Sequence, residues 1–122
     1  MVQREVPQGP AEVLAALRAG GDVPRGVVRA AVKETLRWLT ERAPGHSVEV
    51  RIPPVAAVQA VPGVLHRRGT PPAVVEADPQ TWLALALGEQ TWAEAVERGA
   101  VRASGARSDL SPYLPLLSHG PG

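Results

Sequence analysis

The sequence predicts an α+β domain, in which strands with one apolar face are covered by helices. Three observations carry this. Residues 24–43 hold a long run of apolar side chains at spacings of three and four. Residues 47–52, SVEVRI, alternate strictly. Two helix starts then follow, at Asp78-Pro79 and at Thr91 with Glu94 three residues on. A chain whose apolar period changes from 3.6 to 2 and back must bury helix stripes on strand faces, which gives a layered α+β core. At 122 residues the expectation is a single domain over 1–122, loose at 1–9 and 118–122.

Residues 10–19 read as a short helix, with Pro10 at a first helical position and Gly20-Gly21 at its end. Asp22 is a candidate cap for the next helix, with Pro24 near its first turn. In that helix Val28, Ala31, Val32, Thr35, Leu36, Leu39 and Ala43 form one stripe, and Pro44-Gly45 stop it. Trp38 sits at the stripe edge. Val48, Val50 and Ile52 share one face of the first strand, with Glu49 and Arg51 on the other. Pro53-Pro54 interrupt the ladder because neither offers an N–H. Residues 55–61 form a second strand, and 64–72 a loop. Residues 73–78 form a third strand, with Val75 and Ala77 inward and Glu76 outward.

Asp78 supplies a capping carboxylate, and Pro79 lacks an N–H where none is needed. The helix that follows is apolar nearly all round through Trp82, Leu83, Leu85, Ala86 and Leu87, so both its sides should be covered. Thr91 and Glu94 form a capping box, with Trp92, Ala95 and Val96 expected on the buried side of the helix they open. Residues 100–104 alternate as a fourth strand. Ser108 or Asp109 then caps a short helix carrying Leu110, Tyr113, Leu114 and Leu117.

Composition narrows the chemistry. There is no Cys, hence no thiol catalysis, disulfide or thiolate metal site. The net charge of +1 provides no steering toward nucleic acid, and no basic aromatic platform is present. No stretch approaches the ~20 apolar residues of a membrane span, and residues 1–10 hold no signal-like apolar run, so a cytoplasmic location is expected. His46, His66 and His119 show no ligand spacing, so no metal is expected. No serine lies in a nucleophile frame, and no phosphate-binding glycine loop occurs. No cofactor is expected, and the chain does not read as an enzyme. The one local basic cluster, His66-Arg67-Arg68, is a candidate anion or headgroup contact, with a solvated loop as the simpler reading. A catalytic use of His66 would need a cleft at that loop.

Residues 78–117 resemble the C-terminal half of the sterol carrier protein superfamily. An acidic residue opens a helix (Asp78), Gly88 ends it, an Ala-containing helix follows and ends at Gly99, and a small strand ends in Gly105 before a leucine-rich helix, Leu110 to Leu117. The chain is more similar still to bacterial sterol-carrier-related proteins of actinobacteria, through RIPPVAAVQ (51–59), HRRGTPPAVVEADPQTWL (66–83) and VRASGARSDLSPYLPLL (101–117). The resemblance implies a curved sheet of four to five strands with helices over one face. It also implies non-catalytic binding or transfer of a lipid, fatty acyl or sterol-like molecule in a cavity between the two layers. The candidate lining residues are then Val50, Ile52, Val58, Val75, Leu83, Leu87, Val96 and Leu114. The alternative is a ligand-free interaction or accessory domain with a filled core. Periodicity is the same for both, and homo-oligomerisation is open in either.

Overall fold

The computed structural model describes residues 6–63, 72–105 and 107–116. It is an α+β fold with elements in the order α1 (Gly9–Arg18), α2 (Arg25–Arg42), β1 (Val48–Ile52), β2 (Ala56–Ala60), β3 (Ala73–Ala77), α3 (Pro79–Ala86), α4 (Trp92–Glu97) and β4 (Val101–Ser104). A 3₁₀ turn, Ser111–Tyr113, follows. The four described strands form one open mixed sheet in the order β2-β1-β3-β4. β1 pairs antiparallel with β2 and parallel with β3, and β4 returns antiparallel along β3.

The register explains which face is covered. Val50 stands opposite Val58 on one side and Val75 on the other. The alternation of β1 therefore continues across its neighbours as a single apolar face. Val48, Val50, Ile52, Val75 and Ala77 are buried there. The opposite face carries Gln59, Glu49, Arg51, Glu76 and Arg102, of which Arg51 donates to Glu49 at 2.9 Å. The Glu49 carboxylate, by hydrogen bond and by charge, raises the pKa of Arg51 above its ordinary value.

The predicted stripe of α2 is the face that turns inward: Ala31, Val32, Thr35, Leu36 and Leu39 are buried. Its start differs from expectation. Pro24, not Asp22, occupies the N-cap position, and no side chain caps the helix. Asp22 is two residues too early to reach the first free N–H groups. α3 bears out its all-round apolar pattern, with Trp82 through Ala86 all buried. It packs against α1 and α2 on the covered side of the sheet.

The expected C-terminal helix is only the single 3₁₀ turn. Pro115 cannot donate to a continuing helix, and Leu114 before it is extended at ψ 147. Asp109, rather than Ser108, holds the turn by accepting the Ser111 N–H at 2.9 Å. Leu110 and Leu116 are the fully buried anchors of this segment. Leu117 and the basic cluster at residues 66–68 lie outside the described residues.

The α2–β1 corner is tight. Val61 sits at φ 74, a conformation costly for a β-branched residue. Its N–H donates to Ala43 O at 2.6 Å, and its carbonyl accepts from the Ser47 N–H at 3.1 Å. These two bonds join the end of α2, the start of β1 and the end of β2.

Candidate functional site

The opening between layers that the lining residues anticipated is filled. Val50, Ile52, Val75 and Leu83 are at most 1% exposed and pack together in the core. Val58 packs against that core half-buried, and Leu87 is buried at the end of α3. Val96 is a correction: it is 44% exposed, and the inward side of α4 is formed by the buried Ala95 with Trp92 partly buried beside it. Six residues make fewer than two turns, so only a few positions of α4 can face inward. Leu114 is separate again, half-buried on the C-terminal segment. The eight residues therefore do not surround one space.

Leu114 does line a groove, formed where two segments distant in sequence meet. The first is the α3–α4 corner. Asp78 caps α3 by accepting the Thr81 N–H at 3.2 Å. α3 ends at Gly88, φ 78, where the Glu89 N–H donates back to Ala84 O at 2.9 Å. Two residues later the Thr91 capping box is complete. The Glu94 N–H donates to Thr91 Oγ1 at 3.1 Å, and the Thr91 N–H donates to Glu94 Oε1 at 2.9 Å. That backbone bond, with the Thr91 hydroxyl, lowers the Glu94 pKa. The corner is thus fixed on both sides of Gln90.

The second segment is the C-terminal return. The Leu116 N–H donates to Ala86 O at 2.7 Å, tying it to the end of α3. From α2, Arg42 Nη1 donates to the carbonyls of Tyr113 (3.1 Å) and Pro115 (2.9 Å). Between corner and return lies a groove of about 320 Å³. Leu85, Trp92, Leu114 and Pro115 make it apolar, and Gln90 and Ser111 are its polar side chains beside Thr91. Its size is at the low end for small-molecule sites.

A larger cleft of about 460 Å³ lies elsewhere, between Val23, Val28 and Val55, with Arg25 and Arg29 at its rim. The groove is the stronger site because, among the described residues, it combines an apolar lining with a buried, unpaired polar atom, Gln90 Nε2. Among the described residues no cluster of His, Asp and Glu could hold a metal ion. Sequence reasoning identified Leu114 and placed Trp92 at the inward edge of α4, but missed Leu85 as lining and missed Gln90 altogether. No local motif marks a glutamine that precedes a cap.

The class this architecture defines is a helix-covered mixed sheet with an apolar groove at one end of its helical layer. The family described as "Bacterial SCP ortholog" matches residues 24–116, and the chain belongs to that sterol carrier protein-like family. At the coarse level this is a family of lipid binding or transfer. No curated protein matches the chain. No helix among the described residues is long and apolar enough to cross a membrane.

Proposed function

We propose that the protein binds an apolar, lipid-type small molecule without catalysing its conversion, and that the groove at Leu85, Trp92, Leu114 and Pro115 receives it. The observation that carries this reading is the groove itself: beside the buried Leu85, Trp92 and Leu114 stay only partly buried and Pro115 exposed, between two firmly tethered segments. Removing such surface from water contributes about 25 cal/mol per Å². A short apolar ligand therefore binds usefully with few polar contacts. The family supports the ligand class only broadly.

The test is titration with Nile red followed by displacement with saturated and branched aliphatic compounds, with native mass spectrometry of gently purified protein alongside. Saturable binding that quenches Trp92 supports the reading. No binding at micromolar probe and no co-purified lipid would sink it.

A second reading, a ligand-free interaction or accessory domain, is favoured by one observation: the space between sheet and helices is solid at Val50, Ile52, Val75 and Leu83. It predicts saturable binding to a protein partner with no response to Nile red.

A further inference from the structure

Among the described residues, one buried side-chain nitrogen or oxygen has no hydrogen-bond partner: Nε2 of Gln90. A carboxamide nitrogen carries two donors, and an unmade buried donor costs more than an ordinary hydrogen bond gains. Most such groups in folded proteins are satisfied by protein or by water, so an acceptor brought to this donor would gain a hydrogen bond.

Two of the carboxylates beside it are engaged by other partners. Gln90 also borders a polar depression with Arg18, Glu89, Glu94, Glu97 and Arg98. There the Glu89 carboxylate accepts from Arg18 at 2.7 Å, and the Glu94 carboxylate is held by Thr91. The backbone of Gln90 is tethered through its N–H to Ala84 O at 3.3 Å, and Thr91 beside it is fixed by the capping box. The carboxamide is the part left to turn. On its other side it meets the apolar groove.

We propose that Gln90 is the specificity residue of this groove, and that its NH₂ turns to donate to a neutral carbonyl oxygen on an otherwise apolar ligand: a ketone, ester or amide. This rests on the groove being the binding site. Charge selects the neutral form. Glu89, Glu94 and Glu97 outnumber Arg18 and Arg98 in the depression that Gln90 also borders, which disfavours an anionic head and leaves a neutral acceptor as the match. A hydrocarbon of the same shape fills the groove but leaves the donor unmade.

The experiment measures displacement of Nile red by 2-undecanone and by its alkene isostere, 2-methyl-1-undecene, on the wild type and on Gln90→Leu. Comparing the ketone-to-alkene preference between the two proteins cancels the ligands' different hydration. The preference should fall about tenfold in Gln90→Leu, the worth of one good hydrogen bond. In the wild type the Gln90 side-chain NH₂ resonances should shift with the ketone and not with the alkene. Gln90→Glu keeps the shape but replaces the donor with a carboxylate, and should lose the preference likewise. It carries the comparison if Gln90→Leu does not fold. An unchanged preference overturns the role of Gln90 and leaves the groove standing as an unselective site. Failure of both compounds to displace the dye, or of the dye to bind, overturns the groove reading and this inference with it.

Discussion

Trp82 on α3 donates its indole N–H to the hydroxyl of Thr35 on α2 at 2.8 Å, and both residues are buried. The hydroxyl is itself placed by its own helix, where it lies 2.9 Å from the carbonyls of Ala31 and Val32. It can donate to one of these while accepting from Trp82. A polar group in the middle of the apolar stripe thereby fixes how α3 lies on α2.

Replacing Thr35 with Val keeps the shape and removes the acceptor. The Trp82 N–H is then buried without a partner, at a cost of about 1–3 kcal/mol. The urea midpoint of Thr35→Val should fall accordingly with the m-value unchanged, while Thr35→Ser should keep most of the stability. In a double-mutant cycle with Trp82→Phe, the two losses should be less than additive. Additive losses would show that the bond contributes nothing.

The capping box gives a stability effect with a defined sign in pH. The Thr91 N–H and hydroxyl hold Glu94 as the carboxylate and lower its pKa below the ordinary glutamate range. A carboxyl group depressed in the folded state contributes stability that is present above its unfolded pKa and is lost as pH falls through the folded value. The difference in stability between wild type and Glu94→Gln should therefore be constant at neutral pH and shrink steadily under acid. Thermal melts between about pH 7 and about pH 2 check this. A difference that grows on acidification would contradict the assignment. At neutral pH, Thr91→Ala should cost about 1 kcal/mol, as should Asp78→Ala at the other cap.

Two glycines should respond in opposite directions. Gly45 lies at φ 148, and a Cβ there would run into the Val61 carbonyl. That carbonyl is already committed to Ser47, and Val61 has no slack at φ 74. Gly45→Ala should destabilise by more than about 2 kcal/mol. Gly26 lies in the first turn of α2, and a Cβ there meets nothing within 4 Å. Gly26→Ala should stabilise by roughly 0.5 kcal/mol through helix propensity. Chemical denaturation of both variants under one condition reads the contrast.

How much of this was legible in the sequence follows from how local each feature is. The face of β1 was readable because Val48, Val50 and Ile52 alternate within five residues. The starts of α3 and α4 were readable because Asp78 and Thr91 satisfy N–H groups only three residues away. Val96 was misplaced because a two-turn period argument has too few points in a six-residue helix. The C-terminal helix stops short of what the leucine spacing suggests because Pro115 lacks the N–H to continue it and Leu114 before it is extended. The bond between Thr35 and Trp82 spans 47 positions, and no pattern in the chain announces it. The same holds for the groove: Leu85 and Trp92 become its wall only when the return at Leu114 docks through Arg42 and Ala86.

The location of the ligand site can be separated from the integrity of the core. Ala93 is exposed on the groove wall, so a tryptophan there adds bulk to the groove without entering the packed layers. Ala93→Trp should weaken Nile red binding by at least about tenfold, with a melting temperature within a few degrees of wild type. Val50, by contrast, is sealed between β1 and the helices and borders no part of this groove. Val50→Ala removes buried methyl groups and leaves a small void, and should cost roughly 1–3 kcal/mol. Its affinity for the dye should stay unchanged wherever it remains folded. The reverse pattern, with affinity sensitive to Val50 and indifferent to Ala93, would move the ligand into the space between sheet and helices. The solid packing seen there would then have to open on binding.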